Sequence, residues 1–99
     1  MSQTFIALYR PGPAWKNGVA ARDQPPLEHG RYLLGLFAKG ILKSAGPFRD
    51  DSGAAVVVEA ADEAAAQSLV ANDPAVAAKI FVAEVHAWDL VPWEQYLKK

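Results

Sequence analysis

His29 is the residue whose type and position are best suited to chemistry. It falls in the first turn of a predicted helix and shares one face of that helix with Leu33 and Phe37, so it should face protein or a cleft. A helix N-terminus disfavours the imidazolium, which would keep the ring neutral and able to act as a base near neutral pH. The alternative, which the residues alone favour, is a packed histidine whose ring N–H is satisfied by a carbonyl.

Asp73 is the second candidate. It is predicted to end the second helix, next to Pro74. The helix dipole repels a carboxylate at a helix C-terminus, so this placement hints at another use, such as orienting a histidine ring through its N–H. An aspartate that only serves the turn before a proline is an equally good interpretation.

Other polar residues indicate a site less clearly. Asp50 and Asp51 are most simply turn formers, although a carboxylate pair can serve acid–base work or hold a metal. His86 is interpreted as a sheet-face residue, because no ligand spacing joins it to His29 in a metal site. Ser44 lacks the strand–turn–helix elbow of a nucleophile. The glycines form neither a phosphate loop nor a dinucleotide fingerprint, so nucleotide cofactors have no support, and we predict no cofactor and no metal ligands.

The elements that must position these residues follow from periodicity and from turn residues. The sequence predicts, in order, a strand at 3–10, a loop at 11–24, a helix from Pro25-Pro26 to about Lys39 ended by Gly40, strands at 41–48 and 54–60, a helix at 64–71 capped by Asp62, a helical turn to 78 and a strand at 80–90. The Gly46-Pro47 pair marks the second strand as an edge or a bulge. This β-α-β-β-α-β order predicts one α+β domain over residues 1–99, a ferredoxin-like plait with both helices on one face of a four-stranded antiparallel sheet.

The face of the sheet without helices is too apolar to meet water. Phe5, Ala7 and Tyr9 alternate with Ile6 and Leu8, so neither face of the first strand is polar. We therefore expect a second copy to cover the open face, sheet against sheet, in a homodimer.

The composition excludes several classes of function. Ten basic and eleven acidic residues give a net charge of −1, which makes nucleic-acid and membrane-surface binding unexpected. The 52% hydrophobic content is that of a globular protein, and the absence of cysteine rules out disulfides and thiolate chemistry. With neither a signal peptide nor a membrane span in evidence, we expect a soluble cytoplasmic protein.

Several segments together resemble the YCII (YciI-like) family. In chain order they are residues 28–33 (Glu-His-Gly-Arg-Tyr-Leu), 40–42 (Gly-Ile-Leu), 45–48 (Ala-Gly-Pro-Phe) with Asp50 and Gly53, 62–64 (Asp-Glu-Ala), 72–74 (Asn-Asp-Pro) and 91–93 (Val-Pro-Trp). They cover nearly the whole chain. The loop at 11–24 is similar to that of a longer-looped subset of the family.

The resemblance implies a dimeric α+β barrel made from two ferredoxin-like sheets. It also implies an active site with a His–Asp dyad, whose histidine falls on His29 and whose aspartate falls on Asp73. The family is similar to cofactor-free barrels that act on small, often aromatic or oxygenated compounds. The resemblance therefore predicts a site and not a substrate.

Two hypotheses of function follow. The first is a small-molecule enzyme of lyase, isomerase or hydrolase type, in which His29 is the general base and Asp73 orients it. Its predicted substrate-binding residues are Tyr9, Arg10, Arg31, Ser44, Gly46, Pro47, Phe48 and Asp50, with Arg10 or Arg31 available for an anionic group. The second is a non-catalytic ligand-binding or structural dimer module, which the lack of a strong catalytic signature supports.

Overall fold

Four strands and three α-helices follow the predicted order in the computed structural model, which describes residues 2–20, 23–24 and 28–97. Their bounds are β1 Gln3–Pro11, α1 Glu28–Ala38, β2 Leu42–Pro47, β3 Ala54–Ala60, α2 Glu63–Ala71, α3 Pro74–Ala77 and β4 Phe81–Ala87, with a 3₁₀ turn at Trp93–Gln95. The helix start predicted at Pro25-Pro26 lies outside the described residues.

The strands form one antiparallel sheet in the order β2-β3-β1-β4, which is the ferredoxin-like arrangement. The predicted fold class is thus confirmed. Alternate residues of the two central strands are buried under the helices, so the core lies between the sheet and α1 and α2. It is built from Phe5, Ala7, Tyr9, Leu36, Leu42, Ala54, Val56, Val58, Ala60, Ala66, Val70, Ala75, Ile80 and Phe81.

Local sequence signals account for the helix ends. Asp62 caps α2 by accepting a 2.8 Å hydrogen bond from the Ala65 N–H. After α1, the Gly40 N–H donates to Phe37 and the Ile41 N–H donates to Leu36, with Gly40 in the left-handed region at φ 79°. This pair of bonds is the Schellman arrangement that glycine makes easy, and it turns the chain sharply into β2.

β2 is an edge strand, as Gly46-Pro47 predicted, but its irregularity lies elsewhere. The register with β3 shifts between Leu42, which is opposite Val58, and Ser44, which is opposite Val57. An extra residue at this point reverses the face to which all later side chains of β2 point.

β4 ends at Ala87 and not at Leu90 as predicted. Its partner β1 begins at Gln3, and the Trp88 N–H makes the last bond to that strand, at the Thr4 carbonyl. In this register Gln3, the first residue of β1, would lie opposite Asp89, so β1 offers no partner to Leu90.

The premise used for Asp73 is wrong. α2 ends at Ala71, and Asp73 instead caps the N-terminus of α3, where its carboxylate accepts a 2.9 Å hydrogen bond from the Ala75 N–H. A carboxylate is favourable at a helix N-terminus, so no dipole repulsion needs explaining.

No helix in the described part of the chain is long and apolar enough to cross a membrane.

Candidate active site

Asp73 is a completely buried carboxylate that is held by three donors. Besides the bond from Ala75 to Oδ1, its Oδ2 accepts a 3.0 Å hydrogen bond from the Tyr9 hydroxyl. His29 Nδ1 lies 2.8 Å from Oδ1 and 2.7 Å from Oδ2. Since a buried carboxylate needs such partners, these contacts fix the direction of the Asp73 side chain.

The contact with Asp73 assigns the proton on the His29 ring. Because Ala75 and Tyr9 already donate to the carboxylate, the consistent arrangement has His29 Nδ1–H as the third donor. In the neutral ring this leaves the lone pair on Nε2. No residue in the described part of the chain forms a hydrogen bond with Nε2, and the His29 side chain keeps 24% of its surface exposed.

Aromatic rings fix the plane of the imidazole. The centroid of the His29 ring lies 6.0 Å from that of Tyr9 and 5.6 Å from that of Phe81, both in tilted contacts. Tyr32, one turn further along α1, donates a 2.6 Å hydrogen bond to the Leu69 carbonyl and so ties α1 to α2. The position of His29 is therefore set by its helix as well as by Asp73.

Tyr9 is buried to 2% exposure under the helices. Burial raises the pKa of its hydroxyl far above the ordinary value, and the neighbouring Asp73 carboxylate raises it further. Tyr9 thus stays protonated and serves Asp73 as a permanent donor. It was predicted to line the cleft, whereas the structure places it behind the His29–Asp73 pair.

His29 lies in the wall of a cavity of about 440 Å³ between α1 and the β2 side of the sheet. The wall is formed by Gln24, His29, Gly30, Leu33, Leu34, Phe37, Leu42, Ala45, Gly46, Pro47, Ala54, Val56, Ala75, Ile80 and Phe81. Of the predicted substrate-binding residues, Gly46 and Pro47 belong to this wall. The cavity is of the size usual for small-molecule sites.

The loop between β1 and α1 contributes Gln24 to the wall. Its side-chain amide donates to the carbonyls of Lys16 and Val19 and accepts from the Lys16 N–H. These bonds hold Gln24 against the earlier part of the loop. Trp15 packs on Phe81 with ring centroids 5.5 Å apart, and the Gly12 N–H donates to the Ile80 carbonyl. The loop therefore closes one end of the cavity against the start of β4.

The other predicted binding residues lie away from the cavity. Ser44 is opposite Val57 and therefore points to the helix-free face. Arg10 is on that face too, where it pairs with Glu84 at 3.6 Å. Arg31 is exposed on α1 and is not part of the wall.

Phe48 and Asp50 belong to the turn after β2 and not to the cavity wall. Asp50 accepts hydrogen bonds from the Ser52 N–H at 3.0 Å and from its hydroxyl at 2.6 Å, and these bonds lower the pKa of the carboxyl. That geometry agrees with a turn former.

Within the described residues, no three histidine, aspartate or glutamate side chains are grouped so that they could hold a metal ion. His86 lies on the helix-free face, where its Nε2 is 2.7 Å from Glu84 Oε2, and so is separated by the sheet from His29.

The chain is an α+β protein with a ferredoxin-like sheet and a His–Asp pair beside an apolar cavity. Comparison with known proteins shows the family. The chain matches the YCII-related domain over residues 5–89 and belongs to that family. Among solved structures it is similar to 5-chloro-2-hydroxyhydroquinone dehydrochlorinase (TftG) from Burkholderia phenoliruptrix AC1100, in complex with 2,5-dihydroxybenzoquinone. The two are 26% identical over 88% of this chain and 95% of that chain, with a TM-score of 0.65. No curated protein sequence matches.

Proposed function

We propose that this chain is a cofactor-independent small-molecule enzyme in which His29 is the general base and Asp73 orients it. The observation that carries the proposal is the arrangement of the imidazole, with Nδ1 bound to a buried carboxylate and Nε2 left without a partner among the described residues, in the wall of a cavity. Membership of the YCII-related family and the likeness to a dehydrochlorinase support an enzymatic role.

The reaction begins when Nε2 takes a proton from an acidic O–H or C–H of the substrate. In an elimination the electron pair left behind forms a new double bond while the leaving group departs with the electrons of its own bond to carbon. In an isomerisation the double bond shifts, and another carbon takes the proton back from the imidazolium. The imidazolium formed in this step lies against the Asp73 carboxylate, which stabilises its charge. Elimination is the reaction type that the name of the similar dehydrochlorinase describes.

The test is turnover by His29→Ala in a screen of small hydroxylated ring compounds, with 5-chloro-2-hydroxyhydroquinone as the first compound. We expect the activity to fall by roughly 10²–10⁴-fold, the usual contribution of a positioned base. His86→Ala is the matched control, because this second histidine lies on the other face of the sheet, and it should retain activity. Processing of the same compounds by His29→Ala at the wild-type rate would rule out the proposal.

Asp73→Asn tests whether Asp73 orients the His29 ring without contributing to ligand binding. The amide keeps the shape of the carboxylate but can donate to Nδ1, which moves the ring proton to Nε2 and blocks the base. We expect kcat to fall with little change in ligand affinity, as measured by steady-state kinetics and by titration calorimetry. Unchanged kcat would show that Asp73 is only structural.

The alternative is a module that binds a small molecule without converting it, and the strongly apolar cavity wall is the observation in its favour. It predicts ligand binding that is unaccompanied by product formation in the wild-type protein.

We also propose that the chain forms a homodimer through the helix-free face. Ile6, Leu8 and Val57 lie at the centre of this face, and charged side chains such as Glu59 and Glu84 lie toward its ends and edge. An apolar centre with a polar rim is the usual pattern of a protein–protein interface. Light scattering tests it, and a monomer at micromolar concentration would contradict it.

A further inference from the structure

We propose that the cavity beside His29 selects an uncharged, ring-sized and largely apolar molecule that offers a hydroxyl or an acidic C–H to His29 Nε2. This inference rests on the proposed function in one respect, because it takes the cavity as the substrate site.

The wall of the cavity contains almost no polar side chains. Among the described residues that form it, only Gln24 and His29 carry a polar side chain, and none carries a formal charge apart from the ring of His29 when it is protonated. Leucine, isoleucine, valine, phenylalanine, alanine, proline and glycine make up the rest. Such a wall favours apolar ligand surface and offers few fixed hydrogen bonds.

Gln24 has no donor left for a ligand. Its amide nitrogen donates to the Lys16 and Val19 carbonyls at 2.7 and 2.8 Å, and its oxygen accepts from the Lys16 N–H at 2.8 Å. Both N–H groups are therefore used inside the loop. The polar contacts that remain from the side chains of the described wall are both acceptors, His29 Nε2 and the second lone pair of the Gln24 amide oxygen.

None of the described lysine and arginine residues belongs to the wall of the cavity. Arg10 lies across the sheet and pairs with Glu84, and Arg31 is not in the wall. Among the described residues of the wall, an anionic ligand would gain no cationic partner apart from a protonated His29, while it would lose hydration, which is unfavourable. The predicted use of Arg10 or Arg31 for an anionic group is accordingly replaced by selection against anions.

The volume sets the size of the ligand. A cavity of about 150 Å³ is enough for benzene, so the 440 Å³ beside His29 holds one or two fused rings with substituents. The resulting ligand is a phenol- or enol-like ring compound that is neutral when it binds.

Three matched probes test this inference by titration calorimetry of the whole protein at neutral pH. They are 2-naphthol, which is neutral and carries one hydroxyl, 2-naphthoate, which is an anion of similar shape, and naphthalene, which lacks a polar group. We expect 2-naphthol to bind at least about tenfold more tightly than 2-naphthoate. Its advantage over naphthalene should disappear in His29→Ala. Equal or tighter binding of 2-naphthoate, or no binding of 2-naphthol up to its solubility limit, would overturn the inference.

A gain of binding gives a second, independent test. Leu34 lies at the rim of the cavity and is 66% exposed, so Leu34→Lys should fold and place a cation at the mouth. We expect it to tighten 2-naphthoate binding several-fold, whereas Gln67→Lys on exposed α2 surface should change nothing. Equal effects of the two variants would show that general charge, and not the cavity, governs anion binding, and would overturn the inference.

These measurements need no turnover. An inactive protein that still prefers 2-naphthol would refute the proposed enzyme and leave the selectivity standing. A protein that loses activity in His29→Ala but binds 2-naphthoate more tightly than 2-naphthol would refute the selectivity and leave the proposed enzyme standing.

Discussion

Asp73 accepts hydrogen bonds from three different elements, and each comes from a different part of the chain. Tyr9 reaches it from β1, His29 from α1 and Ala75 from α3. A carboxylate held in this way cannot turn to follow the imidazole, so the imidazole must adopt the orientation that the carboxylate allows. In the proposed mechanism Tyr9 would therefore be a positioning residue that acts through Asp73, since it is not among the residues of the cavity wall.

Because of the Tyr9 hydroxyl, the free energy of unfolding should depend on pH in the alkaline range. Burial and Asp73 raise the pKa of its hydroxyl in the folded state, whereas in the unfolded chain the hydroxyl ionises near pH 10. Its contribution is therefore complete below about pH 10 and declines above it, by at most about 1.4 kcal/mol per pH unit. We expect the alkaline decline in the free energy of unfolding, measured in urea, to be shallower in Tyr9→Phe.

Tyr96→Phe is the matched control for this experiment, because Tyr96 is 56% exposed. Identical alkaline slopes for wild type and Tyr9→Phe would show that the Tyr9 hydroxyl ionises as easily in the folded protein as in the unfolded one.

At the scale of the elements, the turn between α3 and β4 positions the floor of the site. The Lys79 N–H donates to Val76 and the Ile80 N–H donates to Ala75, which is again the Schellman arrangement. Here the residue in the left-handed region, at φ 65°, is Lys79 and not a glycine. The loop after β1 bonds to this same turn, so the strained residue supports both β4 and the cavity.

Lys79→Gly should stabilise the protein by about 0.5–1 kcal/mol, because relief of left-handed strain exceeds the entropy that glycine costs. Ala78→Gly, one residue earlier at φ −84°, should destabilise it by about 0.5–1 kcal/mol. Urea unfolding of both variants gives the comparison. Destabilisation by Lys79→Gly would mean that the lysine side chain contributes more than its backbone costs.

The sequence allowed the elements and the main pair of the site to be predicted, but not how the pair is held. Asp62 and Gly40 act locally, within three to five residues of their partners, and their roles could be read directly. The contact of Tyr9 with Asp73 joins residues 64 positions apart, and no periodicity encodes it. The aromatic residues Phe5 and Tyr9 in β1 indicated that these side chains would be buried, but nothing in the sequence indicated that the Tyr9 hydroxyl would donate to Asp73.

The misplacement of Ser44 has a particular physical cause. Without the register shift, Ser44 would face the same side as Leu42, which lines the cavity. The extra residue in β2 sends it to the other face, and a bulge of this kind leaves no reliable mark in the sequence. Gln24 was missed for a related reason, since its role depends on how the loop folds back on Lys16 and Val19.

At the scale of the whole molecule, the helix-free face leaves apolar side chains exposed in a monomer. Leu8 is 39% exposed at its centre, directly opposite Ala55 on β3. A second copy on this face would remove such apolar surface from water. The cytoplasmic location expected from the cysteine-free composition stays a prediction.

Leu8→Glu should convert the proposed dimer into a monomer, because it places a carboxylate opposite Glu84 on β4, where the interface would bury like charges together. Gln67→Glu, on exposed α2 surface, introduces the same charge and should leave the dimer intact. Light scattering at micromolar concentration distinguishes the two outcomes. A Leu8→Glu protein with the mass of a wild-type dimer would place the interface elsewhere.

The measurement that bears most directly on the His29–Asp73 pair is the ¹⁵N NMR spectrum of the imidazole ring. In the neutral form of His29, the proton should reside on Nδ1, with the chemical shift of Nε2 that of an unprotonated nitrogen. Asp73→Asn should reverse this assignment. A wild-type ring that carries its proton on Nε2 would contradict the proposal, because His29 would then have no base to offer to the cavity.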